Sequence, residues 1–271
     1  MALTLAVGAV AGTAGDAARY LAGRQVEGGG FAEPNGGPDP SLTAWAVLAL
    51  RSSGMPAGEL RASQRYLVET EAGLERPTEL ALALLALAAL GERPQRLIER
   101  VQALQQPSGA IGPTLNSTVW SLLALRGSGL AAPAGSVRYL LAHQTRSGGW
   151  SWGEGVAPDS NDTAAAVQAL RAAGVSGPPI RQALAYLRRL QNRDGGFELT
   201  PGRGSDAQST AWAIQAFLAA GERPGARPYA YLAGLRRRDG SVRYSGRYAI
   251  TPVWVTAQVL PALAGKPFPL R

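Results

Sequence analysis

Aspartates and tryptophans recur at matching offsets along this 271-residue chain, and they are the side chains best placed to do chemistry. Asp39, Asp159 and Asp206 each stand two residues before a polar residue: Ser41, Asn161 and Gln208. Asn116 holds the same place in another segment. Four residues beyond this polar position come Trp45, Trp120 and Trp212, with Ala165 in the Asn161 segment and Trp254 assigned to a last one. Three residues further lie Leu48, Leu123, Gln168 and Gln215. A helix returns to the same face every three to four residues, so these positions form three tiers on one helical face. If several helices turn that face to a common axis, four indoles line a bowl with Asn116, Asn161 and Gln208 at its mouth. Gln168 and Gln215 would then lie deeper in the same lining, and Asp39, Asp159 and Asp206 around the rim. Indole faces suit apolar or cationic ligands and sugar faces. The rim carboxylates could do acid–base work or bind Ca²⁺. Their favoured role is to cap helix N-termini, and indoles at helical spacing can plug a core as well as line a cavity.

The elements that would position these residues repeat. Thr43/Gly54, Thr118/Gly129, Thr163/Gly174 and Thr210/Gly221 are each a Thr and a Gly 11 residues apart, bounding an apolar helical stretch. Two weaker copies follow the pattern, with Leu80 and Pro252 at the Thr place. Before most copies lies another helix ending in Gln, then Gly, then an aromatic: Gln25–Phe31, Gln144–Trp150 and Gln191–Phe197. The closing glycines suit a left-handed position after a helix. The Gln side chains are expected to tie helix ends to neighbouring backbone, and the aromatics to pack between units. No single unit buries its own apolar face, so the pattern predicts one all-α array over 16–265, built of six helix pairs and twelve helices.

Composition narrows the chemistry. Cys is absent, which excludes disulfides, thiolate metal sites and cysteine nucleophiles. His143 is the only histidine, which excludes multi-His metal sites and weakens any Ser–His reading. Neither a metal nor another cofactor is expected. No apolar run reaches the roughly 18–20 residues of a membrane helix. The net charge is +8 with a pI near 10.4, and Lys266 is the sole lysine. Arg188, Arg189, Arg193 and Arg236, Arg237, Arg238 could form either a solvated outer face or a patch for an anionic envelope surface. No aromatics interleave with them in the manner of RNA binders, so nucleic acid is not an expected partner. Residues 1–15 are small and apolar and end at Thr13-Ala14-Gly15. They read as a signal-like segment without a basic start, or as an N-terminal helix packed on the array. The first reading places the protein outside the cytoplasm or at the cell envelope; the second leaves it cytoplasmic. Residues 266–271 read as the start of a linker or tail.

The Gln–Gly–aromatic motifs resemble the QW motifs of the squalene–hopene cyclase and prenyltransferase superfamily, over about residues 17–265. The resemblance implies an α/α toroid of six inner and six outer helices, in a bacterial secreted branch. Class II terpene cyclases carry Asp-x-Asp-Asp before an inner helix, often followed by Thr-Ala. Here the place reads Asp159-Ser160-Asn161-Asp162, followed by Thr163-Ala164. Asn161 occupies the position of the family's proton donor, and an amide is no general acid near neutral pH. Such cyclases also pair the toroid with a second helical domain, and the prenyltransferase zinc site needs a Cys. On this reading the resemblance implies a non-catalytic ligand-binding or scaffold protein of the cell envelope. Its Trp-lined cavity would hold an apolar or isoprenoid-like molecule. The alternatives are a terpene cyclase-like enzyme working through Asp159 and Asp162, or a carbohydrate-active toroid.

Overall fold

The computed structural model describes residues 2–270, with side chains from residue 11 onward. Six inner helices are α2 (Pro40–Ser52), α4 (Pro77–Ala89), α6 (Leu115–Gly127), α8 (Ser160–Ala172), α10 (Ala207–Ala219) and α12 (Pro252–Leu263). Each packs on the next, and α12 packs on α2, so the ring closes. The outer layer is α1 (Ala2–Ala22), α3 (Arg61–Thr70), α5 (Gln95–Ala103), α7 (Ala134–Ala142), α9 (Pro178–Arg189) and α11 (Arg227–Gly234). Only a two-residue antiparallel pair, β1 (Phe197–Glu198) with β2 (Ser205–Asp206), interrupts the helices. The fold is the all-α toroid that the repeat predicts.

The repeated residues account for the ring. Thr43, Thr118, Thr163, Thr210 and Thr256 each use their hydroxyl to accept the N–H of the residue that ends the preceding turn: Phe31, Ile111, Trp150, Phe197 and Val242, all at 2.9 Å. That bond fixes where each inner helix starts relative to its outer partner. Gln144 Nε2 donates to the Gly148 and Pro179 carbonyls at 2.8 Å, and Gln191 and Gln25 make the matching bonds to Gly195 and Gly29. Trp150, Phe31 and Phe197 are fully buried. At Gly148 the backbone φ is +92°, and a Cβ would sit 2.6 Å from the Gln182 carbonyl oxygen, so the turn can press against α9 only without a side chain. At the opposite end, Arg51, Arg126 and Arg171 donate from Nε to carbonyls in or just after the last turn of the next inner helix: Ala89, Ala172 and Ala219. Cations suit these carbonyl-rich termini.

The termini lock the closure. Glu33 accepts the N–H groups of Val253 (3.1 Å) and Trp254 (2.8 Å), capping the last inner helix from the first unit. Asp16 pairs with Arg236. The side chains of residues 1–10 of the signal-like stretch lie outside the described set; from there to Ala22 the chain continues as outer helix α1, with Ala17, Tyr20 and Leu21 buried. No helix among the described residues is long and apolar enough to cross a membrane. Residues 266–270 turn back beneath the ring, where Phe268 is buried against Trp45 and Trp212. The Arg patch is smaller than the sequence suggests. Arg188 pairs with Glu222 and covers the Phe217 ring, and Arg189 donates to the Ser147 carbonyl.

Candidate functional site

All six inner helices start at the same end of the toroid, and a cavity of about 510 Å³ opens there along the axis. This lies within the ~300–1,000 Å³ usual for small-molecule sites. Its floor is aromatic. Trp45, Trp120 and Trp212 come from alternate inner helices and meet edge to face, with ring centroids 5.3, 5.5 and 5.7 Å apart. Trp254 joins at 6.0 Å from Trp45. The indoles therefore pack against one another yet leave open space above, where α4 and α8 carry only Leu82 and Ala165 at that tier. The upper wall is polar, with Ser41, Thr78, Asn116, Asn161 and Gln208 near the mouth, and Asp39, Glu79 and Asp162 among them.

Asp162 is the chemically distinctive group. Asp159 caps α8, its Oδ1 accepting the Asp162 N–H at 2.9 Å. The cap is held from behind, because Asp159 N–H donates to the Trp150 carbonyl and Tyr186 Oη to that of Pro158. Asp162 thus falls in the first turn, one residue past Asn161, and both line the cavity. Asn116 Nδ2 donates to Asp162 Oδ1 at 2.5 Å. A helix N-terminus favours a carboxylate, but two stronger effects oppose it. Burial comes first, and the charge of the neighbouring Asp159, with its hydrogen bond, adds to it. Together they push Asp162 from 3.8 up to about 8, against the opposing pull of Asn116. Burial and the Asp159 charge thus favour the neutral acid form of Asp162, which faces an apolar floor.

The other sequence-derived positions divide by depth. Trp45, Trp120, Trp212, Asn116, Asn161, Gln208 and Asp39 all reach the cavity, and Asp39 also caps α2. Asp159 and Asp206 lie outside the lining as helix caps; Asp206 is buried, accepts from Ser209 N and Oγ, and is raised by that burial. Gln168 and Gln215 do not line the cavity either. Seven residues below the mouth tier is about 10 Å of helix, which puts them behind the indole floor. There Gln168 Oε1 accepts the Phe268 N–H at 2.7 Å. The last unit is shifted by one turn from the sequence assignment. Thr256, not Pro252, makes the repeated Thr bond, so Trp254 sits near the mouth tier and Gln258 takes the floor position, accepting from Trp212 Nε1 at 3.1 Å. Gln258, Arg76, Thr78 and Glu79 were missed. The Thr spacing before Gln258, and the alignment of Leu80 with Thr43, were the signals for them. Among the described residues no group of three His, Asp or Glu side chains is placed to hold a metal.

No family model matches the chain, and no curated protein sequence does. Solved structures do match in fold. The type II terpene cyclase MstE from Scytonema, in complex with geranylgeranyl dihydroxybenzoate as substrate, superposes with a TM-score of 0.72 at 17% identity, over 97% of this chain and 98% of that one. MstE is also known with merosterolic acid A as product. The ent-copalyl diphosphate synthase from Streptomyces platensis matches at 0.61 and 18%, over 83% of this chain and 50% of that one. Candida albicans protein geranylgeranyltransferase-I with GGPP matches at 0.64 and 10%, over 83% of each.

The likeness to type II terpene cyclases solved with substrate and product overturns the expectation of a non-catalytic binding or scaffold protein, and two of its grounds fail. A second helical domain is not a requirement, since a type II cyclase of this fold is covered to 98% by the toroid alone. A carboxyl is not lost with Asn161, since the adjacent Asp162 lines the cavity and burial pushes its pKa up. The chain folds as an α/α toroid of the terpene cyclase and prenyltransferase type.

Proposed function

We propose that this protein is a class II-type terpene cyclase that folds an isoprenoid chain in the axial cavity and starts its cyclisation by protonation from Asp162. The observation that carries this reading is the Asp162 carboxyl, pushed toward its neutral form by burial and Asp159, set into the cavity wall above the indole floor of Trp45, Trp120 and Trp212. The O–H bond of Asp162 breaks as a C–H bond forms at the less substituted carbon of a terminal alkene. The tertiary cation so formed is attacked by the next double bond, closing a ring. The carbon beside the final cation loses a proton to solvent water, restoring an alkene, and Asp162 regains a proton from water, so the net reaction is an isomerisation.

A pKa near 8 keeps the proton on Asp162 but does not make it a strong acid. The driving force therefore comes from stabilising the cation as it appears. The carboxylate left behind attracts the cation, the more strongly once the substrate fills the cavity and displaces its water. The faces of Trp45, Trp120, Trp212 and Trp254 each add about 0.5–2 kcal/mol of cation–π attraction. Asn116 holds the newly formed anion in place, and the charge of Asp159 favours its reprotonation from water. Neither a metal nor another cofactor enters this scheme. Incubating the protein with linear C15 and C20 polyprenyl compounds, with gas chromatography of the extract, tests it. Cyclised product is expected from the native chain and none from Asp162→Asn of unchanged circular dichroism. Equal product from both proteins refutes the assignment.

A further inference from the structure

Resting on that reading, we infer that the cavity selects an isoprenoid with an uncharged head over the corresponding diphosphate. A charged head cannot lie on the closed indole floor, so it would have to sit among the groups at the mouth. Beside Asp162, which the reading keeps neutral, two further carboxyl side chains line the cavity there, Asp39 and Glu79, with a single cation, Arg76. Arg76 is already engaged, because its guanidinium pairs with Glu79 and its N–H donates to Glu79 Oε2 at 3.2 Å. That pairing holds the Glu79 carboxyl below its usual range, so Glu79 stays ionised.

Helix N-termini are the other common source of anion sites. Six of them point at this mouth, and all six are occupied by the protein's own side chains. Asp39, Glu79, Asp159, Asp206 and Glu33 serve α2, α4, α8, α10 and α12, and the Thr114 hydroxyl serves α6. Five of the six caps are carboxylates. A diphosphate would meet like charge at helix ends already capped by the protein's own side chains. A cationic head is disfavoured for a different reason: placed beside Asp162, it would stabilise the carboxylate and strip the proton that the reaction needs. What remains at the mouth are neutral donors and acceptors, Ser41, Thr78, Asn116, Asn161 and Gln208, which fit a hydroxyl, carbonyl or ester head.

The test is a fluorescence titration of the full chain, reading the floor indoles, with geranylgeraniol and with geranylgeranyl diphosphate at low and high salt. The alcohol is expected to bind about ten-fold or more tightly than the diphosphate at low salt, and the gap to narrow at high salt as the carboxylates are screened. Asp39→Asn with Glu79→Gln should narrow it without added salt. If that variant does not fold, the salt series on the native chain decides. Diphosphate binding as tight as, or tighter than, the alcohol at low salt overturns this inference while leaving the cyclase reading intact. Quenching by neither ligand removes the cyclase reading and this inference with it.

Discussion

Asp162→Asn should make the protein more stable, increasingly so as pH rises. The substitution keeps the shape and an oxygen for Asn116 to bond, but removes the titration. In the native state Asp162 is raised from 3.8 to about 8. As pH rises, the unfolded chain loses this proton near pH 3.9 while the native chain keeps it until about 8. The stability that the neutral acid contributes is therefore complete below about pH 4, declines through neutrality, and is gone above about pH 8. One pKa unit is worth about 1.4 kcal/mol, so the roughly three units between 3.9 and 7 set a ceiling of ~4 kcal/mol on the cost at neutral pH. Asp162 opens onto the cavity, and water there offsets part of the burial, so about 2 kcal/mol is expected. Urea unfolding of both proteins at several pH values reads it, as a stability difference that grows from acid to mildly alkaline conditions. A difference that is flat with pH, or a variant less stable at alkaline pH, refutes the raised pKa and the neutral acid with it.

Trp150→Ala removes a fully buried indole that also donates from Nε1 to the Leu140 carbonyl at 2.7 Å; it should cost about 3–5 kcal/mol in denaturant titration, and a loss under about 1 kcal/mol would show that Trp150 does not staple units. Trp45→Ala deletes the indole that touches the other three and should leave proton-initiated consumption of substrate in place while adding incompletely cyclised products; an unchanged product pattern would detach the floor from cation stabilisation.

The toroid was legible because its determinants are local and repeated. Thr163 must stand a fixed distance from Trp150 for their hydrogen bond to form, and Gly148 must lack a side chain, so both leave a spacing that can be read directly. The site was legible in direction but not in depth or register. Gln168 lies on the predicted face, yet the indole floor comes between it and the cavity. Pro252 stands two residues before Trp254, as Thr43 does before Trp45, whereas the hydrogen bond goes to Thr256. Asp162 is legible only within the enzyme alternative, and there only together with Asp159, because the motif's proton donor falls on Asn161. Its protonated state arises from burial and from Asp159, and burial is a property of the closed ring. The C-terminal turn that carries Phe268 under the floor has no repeat to announce it.

Running the reaction in D₂O tests the central claim most directly. A cyclisation begun by Asp162 transfers one solvent-derived hydrogen to carbon, so mass spectrometry should find a single deuterium in the product, on the carbon next to the first cation. Product should vanish in Asp162→Asn. Cyclised product lacking deuterium, or deuterated product made undiminished by Asp162→Asn, would contradict the assignment of Asp162 as the proton donor.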